Sequence, residues 1–171
     1  SKGETARFAV GLGASEQEAY ALARDLLDRE EALRGEARDH FAALAQRGKT
    51  TDDIPIMVQV TIETTGTMLV GSEISAAASA LANYPILSLG MNCATGPEKM
   101  AEYVHWLARH WPKRISVLPN AGLPYLEDNE TVFPLAPGPF AEAMAHFVND
   151  YGIDIVGGCC GTTPEHLSMI I

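Results

Sequence analysis

The chain has 171 residues, 47% of them hydrophobic, and a formal net charge of −10. Such a length suits one domain with a sizeable core, and the acidic balance argues against a nucleic-acid surface, which needs clustered Lys and Arg. No apolar run reaches the ~18 residues of a membrane span, no basic-then-apolar leader opens the chain, and three cysteines are too few for a disulfide scaffold, so a cytoplasmic, reducing setting is expected.

Residues 1–50 read as a helical segment of unclear role. After a short apolar stretch at 8–10, residues 15–47 are rich in Ala, Leu, Glu and Arg. They predict one long helix, or two broken near Gly35, with a solvated amphipathic face. Residues 51–171 then alternate between strand-like and helix-like pieces. A β-branched run at 54–62 predicts the first strand, and 72–84, opening on Ser72 as a cap, predicts a helix. Residues 86–91 are the second strand. Gly96-Pro97-Glu98 opens a helix through Trp111, with Met100, Tyr103, Val104 and Leu107 at three- and four-residue steps. A third strand at 115–118 runs into a proline-rich loop over 123–138. A helix at 140–151, a fourth strand at 153–156 and a helix starting at Thr163 complete the chain.

Strands alternating with helices imply parallel β/α units, which bury both sheet faces and so explain the short, nearly continuous apolar strands. Chemistry in such folds gathers at the carboxyl ends of the strands. Here those ends carry Thr61, Cys93, Asn120 and the pair Cys159-Cys160.

The run Gly157-Gly158-Cys159-Cys160-Gly161-Thr162-Thr163-Pro164 places two adjacent thiols where a strand hands over to a helix. Cys93, 66 positions earlier, closes another apolar run. Zinc binds thiolate sulfur tetrahedrally, and a catalytic site keeps three protein ligands and one exchangeable position. Cys93, Cys159 and Cys160 could supply three sulfurs, spread over strands rather than paired in a tight C-x-x-C knuckle. Gly157 and Gly158 would let another backbone or a substrate approach, and Gly161 would relax the turn. Competing readings are small buried core cysteines, a zinc-stabilised scaffold that binds a partner without catalysis, and a redox dithiol. The last is disfavoured because vicinal cysteines lack the C-x-x-C helix geometry.

Three segments carry a family resemblance: Gly90-Met91-Asn92-Cys93-Ala94-Thr95-Gly96-Pro97, Pro119-Asn120-Ala121-Gly122-Leu123-Pro124, and Gly157 through Pro164. In order and spacing they resemble the homocysteine-binding domain of cobalamin-dependent methionine synthases, within the wider homocysteine S-methyltransferase family. The second segment points to the cobalamin-dependent rather than the betaine-using branch. The resemblance covers about residues 54–171.

The resemblance implies a TIM-type (β/α)8 barrel, of which residues 51–171 would be the carboxyl-terminal half with the last four strands. It implies Zn2+ on Cys93, Cys159 and Cys160, and Asn120 as an oxygen ligand that homocysteine sulfur displaces. Zinc removes the thiol proton, so a fourth thiolate would take the site from net −1 to −2 and stay nucleophilic toward a methyl group, giving methionine. The methyl donor implied is methylcobalamin, supplied by another domain and recharged from methyltetrahydrofolate. Implied partners are homocysteine, the missing barrel half, and the folate and cobalamin domains of a parent protein. Alternatives are a partner-dependent fragment without catalysis, or a homocysteine methyltransferase using another donor.

A half barrel exposes two sheet edges. The expectation is that residues 1–50 cover part of the sheet, or that two copies pair as a homodimer. Among the remaining residues, Glu63 and Thr64, with Thr65, follow the first strand and read as a solvated turn, or else could line the substrate pocket. His166, one turn past the cysteine pair, reads as a surface or core residue, the alternative being a place behind the metal ligands. His40, His105, His110 and His146 read as surface or core residues, Trp106 and Trp111 as packing residues, and Glu127–Glu130 as a solvated loop.

Overall fold

The structure, a computed structural model, describes residues 35, 38–39, 41–68 and 73–171. The expectations for residues 8–10, for most of 15–47, for His40 and for the Ser72 cap lie outside the described residues. Residues 41–46 are helical.

In chain order the elements begin with β1 (Met57–Val60), α1 (Ile74–Leu81), β2 (Ser88–Asn92), α2 (Pro97–His110) and β3 (Arg114–Leu118). A hairpin of β4 (Tyr125–Glu127) and β5 (Glu130–Val132) follows, then α3 (Pro137–Tyr151), β6 (Ile155–Val156) and α4 (Pro164–Met169). Strands β1, β2, β3 and β6 form one parallel sheet in that order. The protein is therefore mixed α/β, with strands added to the sheet in chain order.

Register decides which side chains face the core. Leu89 lies between Val58 and Ile115, and Met91 between Val60 and Val117. Residues in register share a face, so these six point the same way. Leu89, Met91 and Val117 are fully buried there, in one cluster with Met100, Val104 and Leu107 of α2 and Phe140, Met144 and Phe147 of α3. The helical members recur at three- and four-residue steps, which makes one apolar stripe per helix. Each fully buried side chain of this kind contributes roughly 1.5–3 kcal/mol. The opposite face is polar: Gln59 Nε2 donates to Ser116 Oγ at 2.5 Å, and the Ser88 and Ser116 hydroxyls lie 3.3 Å apart.

Helix ends follow local chemistry. Pro97, Pro137 and Pro164 stand in the first helical turns, where a missing N–H is no loss. Gly152 ends α3 at φ 70°, its N–H reaching Phe147 O and Val148 O. At the sheet edge, Asp154 Oδ2 accepts the Ile115 N–H at 2.9 Å while Asp154 N–H donates to Ile115 O at 3.2 Å. Asp154→Ala is expected to lower stability by about 1 kcal/mol, because the Ile115 N–H loses its side-chain acceptor. A urea midpoint that stays put would show that water replaces the carboxylate there.

Several boundaries differ from expectation. The first strand is four residues long, and Ile54, placed within it, is 47% exposed. The first helix has Glu73 at its N-cap, makes no side-chain cap hydrogen bond and stops at Leu81, before Tyr84. The fourth strand keeps two residues, Ile155 and Val156. The stretch expected to be a plain loop contains the β4–β5 hairpin, turned by Asp128 and Asn129 at φ 49° and 64°. Two successive left-handed residues suit a tight two-residue hairpin, and Asp and Asn tolerate that conformation.

Candidate metal centre

The ends of β2 and β6 bring the three thiols together. Cys93 follows β2 directly, and Cys159 and Cys160 follow the Gly157-Gly158 pair after β6. Strand β3 lies between β2 and β6 in the sheet, so the loops from β2 and β6 must lean across the end of β3 to meet. Hydrogen bonds make that bridge. Cys93 N–H donates to Leu118 O (3.2 Å), Gly157 N–H to Val117 O (3.1 Å) and Cys159 N–H to Pro119 O (2.9 Å). Both thiol loops are thus anchored on β3 and the proline that ends it.

The segment after β3 holds the last ligand loop. Buried Asn120 accepts the Cys160 N–H on Oδ1 at 3.1 Å, and Ala121 N–H donates to Cys160 O at 2.9 Å. Thr162 closes the turn from the other side, its N–H and hydroxyl both reaching Cys159 O, at 3.2 and 2.7 Å. Cys93 and Ala94 adopt φ of 58° and 53°. Left-handed backbone costs a non-glycine residue roughly 1–2 kcal/mol, and such strain gathers where the surroundings dictate geometry.

Glycine is required at two points of this bridge. Gly161 has φ +76°, and a Cβ there would fall 2.2 Å from Phe133 Cγ. A Cβ on Gly96 would fall 2.6 Å from the Gly122 Cα, so the loops after β2 and β3 touch backbone to backbone. Gly96→Ala is therefore expected to destabilise the protein by about 1–3 kcal/mol, the usual range for overpacking. A thermal melt superimposable on the wild type would show that the loops part without cost. Gly157 and Gly158 serve a more local purpose than expected: an added Cβ would strike the side chains of Leu118 and Thr162.

The sulfur triangle measures 2.7 Å for Cys93–Cys159, 3.4 Å for Cys93–Cys160 and 3.9 Å for Cys159–Cys160. Cys93 and Cys159 are half-buried and Cys160 is exposed. Three sulfurs about 2.3 Å from a tetrahedral centre sit about 3.8 Å apart. The Cys159–Cys160 edge matches that value, and seating a metal ion would take an opening of about 1 Å at the Cys93–Cys159 edge. All three ligand atoms lie within 4.8 Å of one another.

Electrostatics match the geometry. The hydrogen bond from Cys159 holds the Cys93 thiol below the usual range, against the opposing effect of burial. Burial, with the hydrogen bond to Cys93 adding to it, pushes Cys159 up to about 11. Of the two, Cys159 is the thiol that holds its proton more firmly, and a divalent cation bound there would displace that proton.

The other expected residues fall as follows. Thr61 Oγ1 donates to Asn92 Oδ1 at 3.2 Å, tying the end of β1 to the residue before Cys93. Glu63 and Thr64 form a turn after β1, closed by Glu63 N–H to Thr67 O at 2.8 Å and Gly66 N–H to Glu63 O at 2.9 Å. No hydrogen bond joins them to the thiol loops among the described residues. His105, His110 and His146 are exposed on helices. Trp111 is 5% exposed within the core cluster, and Trp106 stacks on His110. Glu127–Glu130 is exposed at the hairpin tip. A cleft of about 490 Å3 on the helical side, lined by Tyr103, Trp106 and Arg109 among others, includes none of the cysteines. No described helix is long and apolar enough to cross a membrane.

Comparison with known proteins agrees with the resemblance carried by the three loops. The family model for homocysteine S-methyltransferase matches residues 17–171. The match thus reaches well into the amino-terminal segment, beyond the 54–171 that the motifs alone suggested. The chain is 46% identical over 147 residues to a methionine synthase of Mycobacterium leprae (strain TN), covering 86% of this chain and 12% of that relative. It is 45% identical over 147 residues, with the same coverage, to a methionine synthase of Mycobacterium tuberculosis (strain ATCC 25618 / H37Rv). The chain therefore spans about 12% of the length of these curated relatives. It belongs to the homocysteine S-methyltransferase family.

Proposed function

We propose that this chain is the metal-bearing part of a methionine synthase, in which Cys93, Cys159 and Cys160 hold Zn2+ for transfer of a methyl group to homocysteine. One observation carries the reading: three thiols from two strand ends converge within 4.8 Å, with the third of them exposed to solvent. When bound, Zn2+ would keep the substrate's sulfur deprotonated at neutral pH, as a nucleophile toward a methyl carbon. The chain's own residues supply the frame. Asn120 and Ala121 hold Cys160 by both sides of its backbone. Half-buried Cys93 and Cys159 close the inner side, so substrate and donor approach over Cys160.

Methylcobalamin, carried by another part of the parent protein and recharged from methyltetrahydrofolate, is the donor in this reading, which rests on the resemblance of residues 119–124 to the cobalamin-dependent branch. The sheet is then the last four strands of a (β/α)8 barrel, a reading supported by parallel strands added in chain order. Asn120, Glu63 and Thr64 face the substrate. The setting is cytoplasmic.

A second reading, a zinc-stabilised chain that is catalytically silent until a partner or a second copy joins it, is favoured by the sheet edges. Strands β1 and β6 each have one neighbour among the described residues. X-ray absorption on the zinc-loaded chain separates the two. A rise from three to four sulfur neighbours on adding L-homocysteine supports a substrate site within this chain. An unchanged shell supports the silent reading.

A further inference from the structure

His166 is one of few buried polar side chains among the described residues, 6% exposed, and neither nitrogen is available to a metal or a substrate. Its Nδ1 faces the Thr163 N–H at 3.2 Å. A backbone N–H can only donate, so Nδ1 is the acceptor and the ring proton sits on Nε2. The Thr163 hydroxyl lies 2.9 Å from the same Nδ1. Nε2 then donates to Leu135 O at 2.9 Å. The Phe140 ring packs edge-on against the imidazole, 5.4 Å between centroids, and limits its rotation.

From Leu135 the hydrogen bonds continue in one direction. Leu135 N–H donates to Ala121 O at 2.9 Å, and Ala121 N–H donates to Cys160 O at 2.9 Å. The neighbouring Asn120 accepts the Cys160 N–H. Cys160 is the most exposed of the three thiols, so packing does little to fix its backbone. This ladder is its main restraint.

We propose that His166 is a positioning residue for the metal centre: by donating from Nε2 to Leu135 it locks the 119–122 loop against Cys160 and so sets the third sulfur. The proposal rests on the three-thiol metal site above. Groups that orient metal ligands from behind typically change metal affinity 10–100-fold when removed. Here the orientation acts through backbone, because the ligand is a cysteine in a turn rather than an imidazole with a second nitrogen.

The test uses the full chain and Co2+ alone, whose visible d–d and thiolate charge-transfer bands report ligand geometry. His166→Phe keeps the ring against Phe140 but removes the donor. It is expected to weaken Co2+ binding roughly 10- to 100-fold and to alter the d–d bands. His166→Gln, whose amide can reach Leu135 O, is expected to restore both toward wild type. A loss of stability alone would change the melting temperature without changing the bands of the bound ion.

Wild-type Co2+ affinity and spectrum in His166→Phe would overturn the proposal while leaving the metal site standing. Failure of the wild type to bind Co2+ would overturn both. Should His166→Phe not fold, imidazole 15N shifts of the wild type decide: the Nε2–H tautomer supports the ladder, and the Nδ1–H tautomer overturns it.

Discussion

Cys93→Ser is expected to weaken zinc binding on the order of 100-fold, enough for a chelator to strip the ion, without unfolding the metal-free protein. Cys93 is the corner of the sulfur triangle that touches both others, at 2.7 and 3.4 Å, whereas Cys159 and Cys160 are 3.9 Å apart. A serine there keeps the backbone and nearly the volume but offers a protonated hydroxyl in place of a thiolate. Structural zinc sites bind with about 10–16 kcal/mol from four ligands, so one lost thiolate costs about 3 kcal/mol, on the order of 100-fold in affinity. Zinc per chain, measured by elemental analysis after dialysis against a weak chelator, should fall from one to near zero. Cys159→Ser and Cys160→Ser should behave alike. Asn120→Ala should retain the ion with weakened affinity, because it removes a brace on Cys160 and leaves all three sulfurs. Full zinc occupancy in Cys93→Ser would remove the three-thiolate centre from consideration.

Metal affinity should rise steeply with pH across the neutral range. The sign follows from the thiols. Burial pushes Cys159 up to about 11, so at neutral pH the metal-free site holds a proton there that the ion must displace. Each displaced proton adds one decade of affinity per pH unit. Cys93 is held below the usual thiol range by the hydrogen bond from Cys159, so it contributes less once the pH exceeds its own lowered value. With Cys159 alone, affinity should rise at least about 100-fold from pH 6 to 8. It should level off only near pH 11, where that thiol is deprotonated without help. Competition against a chelator of known proton dependence measures this directly. A flat profile between pH 6 and 8 would mean that the ion binds without displacing a thiol proton, and that Cys159 is not a ligand. Because a bound ion stabilises the folded state by mass action, the melting temperature at fixed zinc should follow the same curve.

Much of this protein is written in local sequence. Pro97, Pro137 and Pro164 mark helix starts because a fixed φ and a missing N–H are harmless there. The stripe Met100, Val104 and Leu107 is legible because helical period and burial coincide. The three cysteines were legible as a candidate ligand set because two adjacent thiols in a glycine turn have few structural uses, and a third ends a parallel strand. The hairpin carried a weaker signal, Asp128-Asn129, hidden among prolines that argued for irregular chain.

Other features had no local signature. That Cys93 meets Cys159 across 66 residues depends on β3 lying between their strands and on the pairing of Ser116 with Ile155. One slip in register would turn these side chains to the opposite face of the sheet. His166 was visible only as a position near the cysteines; its hydrogen bonds run to Thr163 and to Leu135, and the one to Leu135 exists because the hairpin returns the chain past α4. The purpose of Gly96 likewise depends on Gly122, a residue in another loop. Caps, turns and apolar stripes act over one or two turns of chain, so sequence determined them. Close approach between distant backbones is set by how the strands pair and the loops pack, and only the tertiary structure decided it.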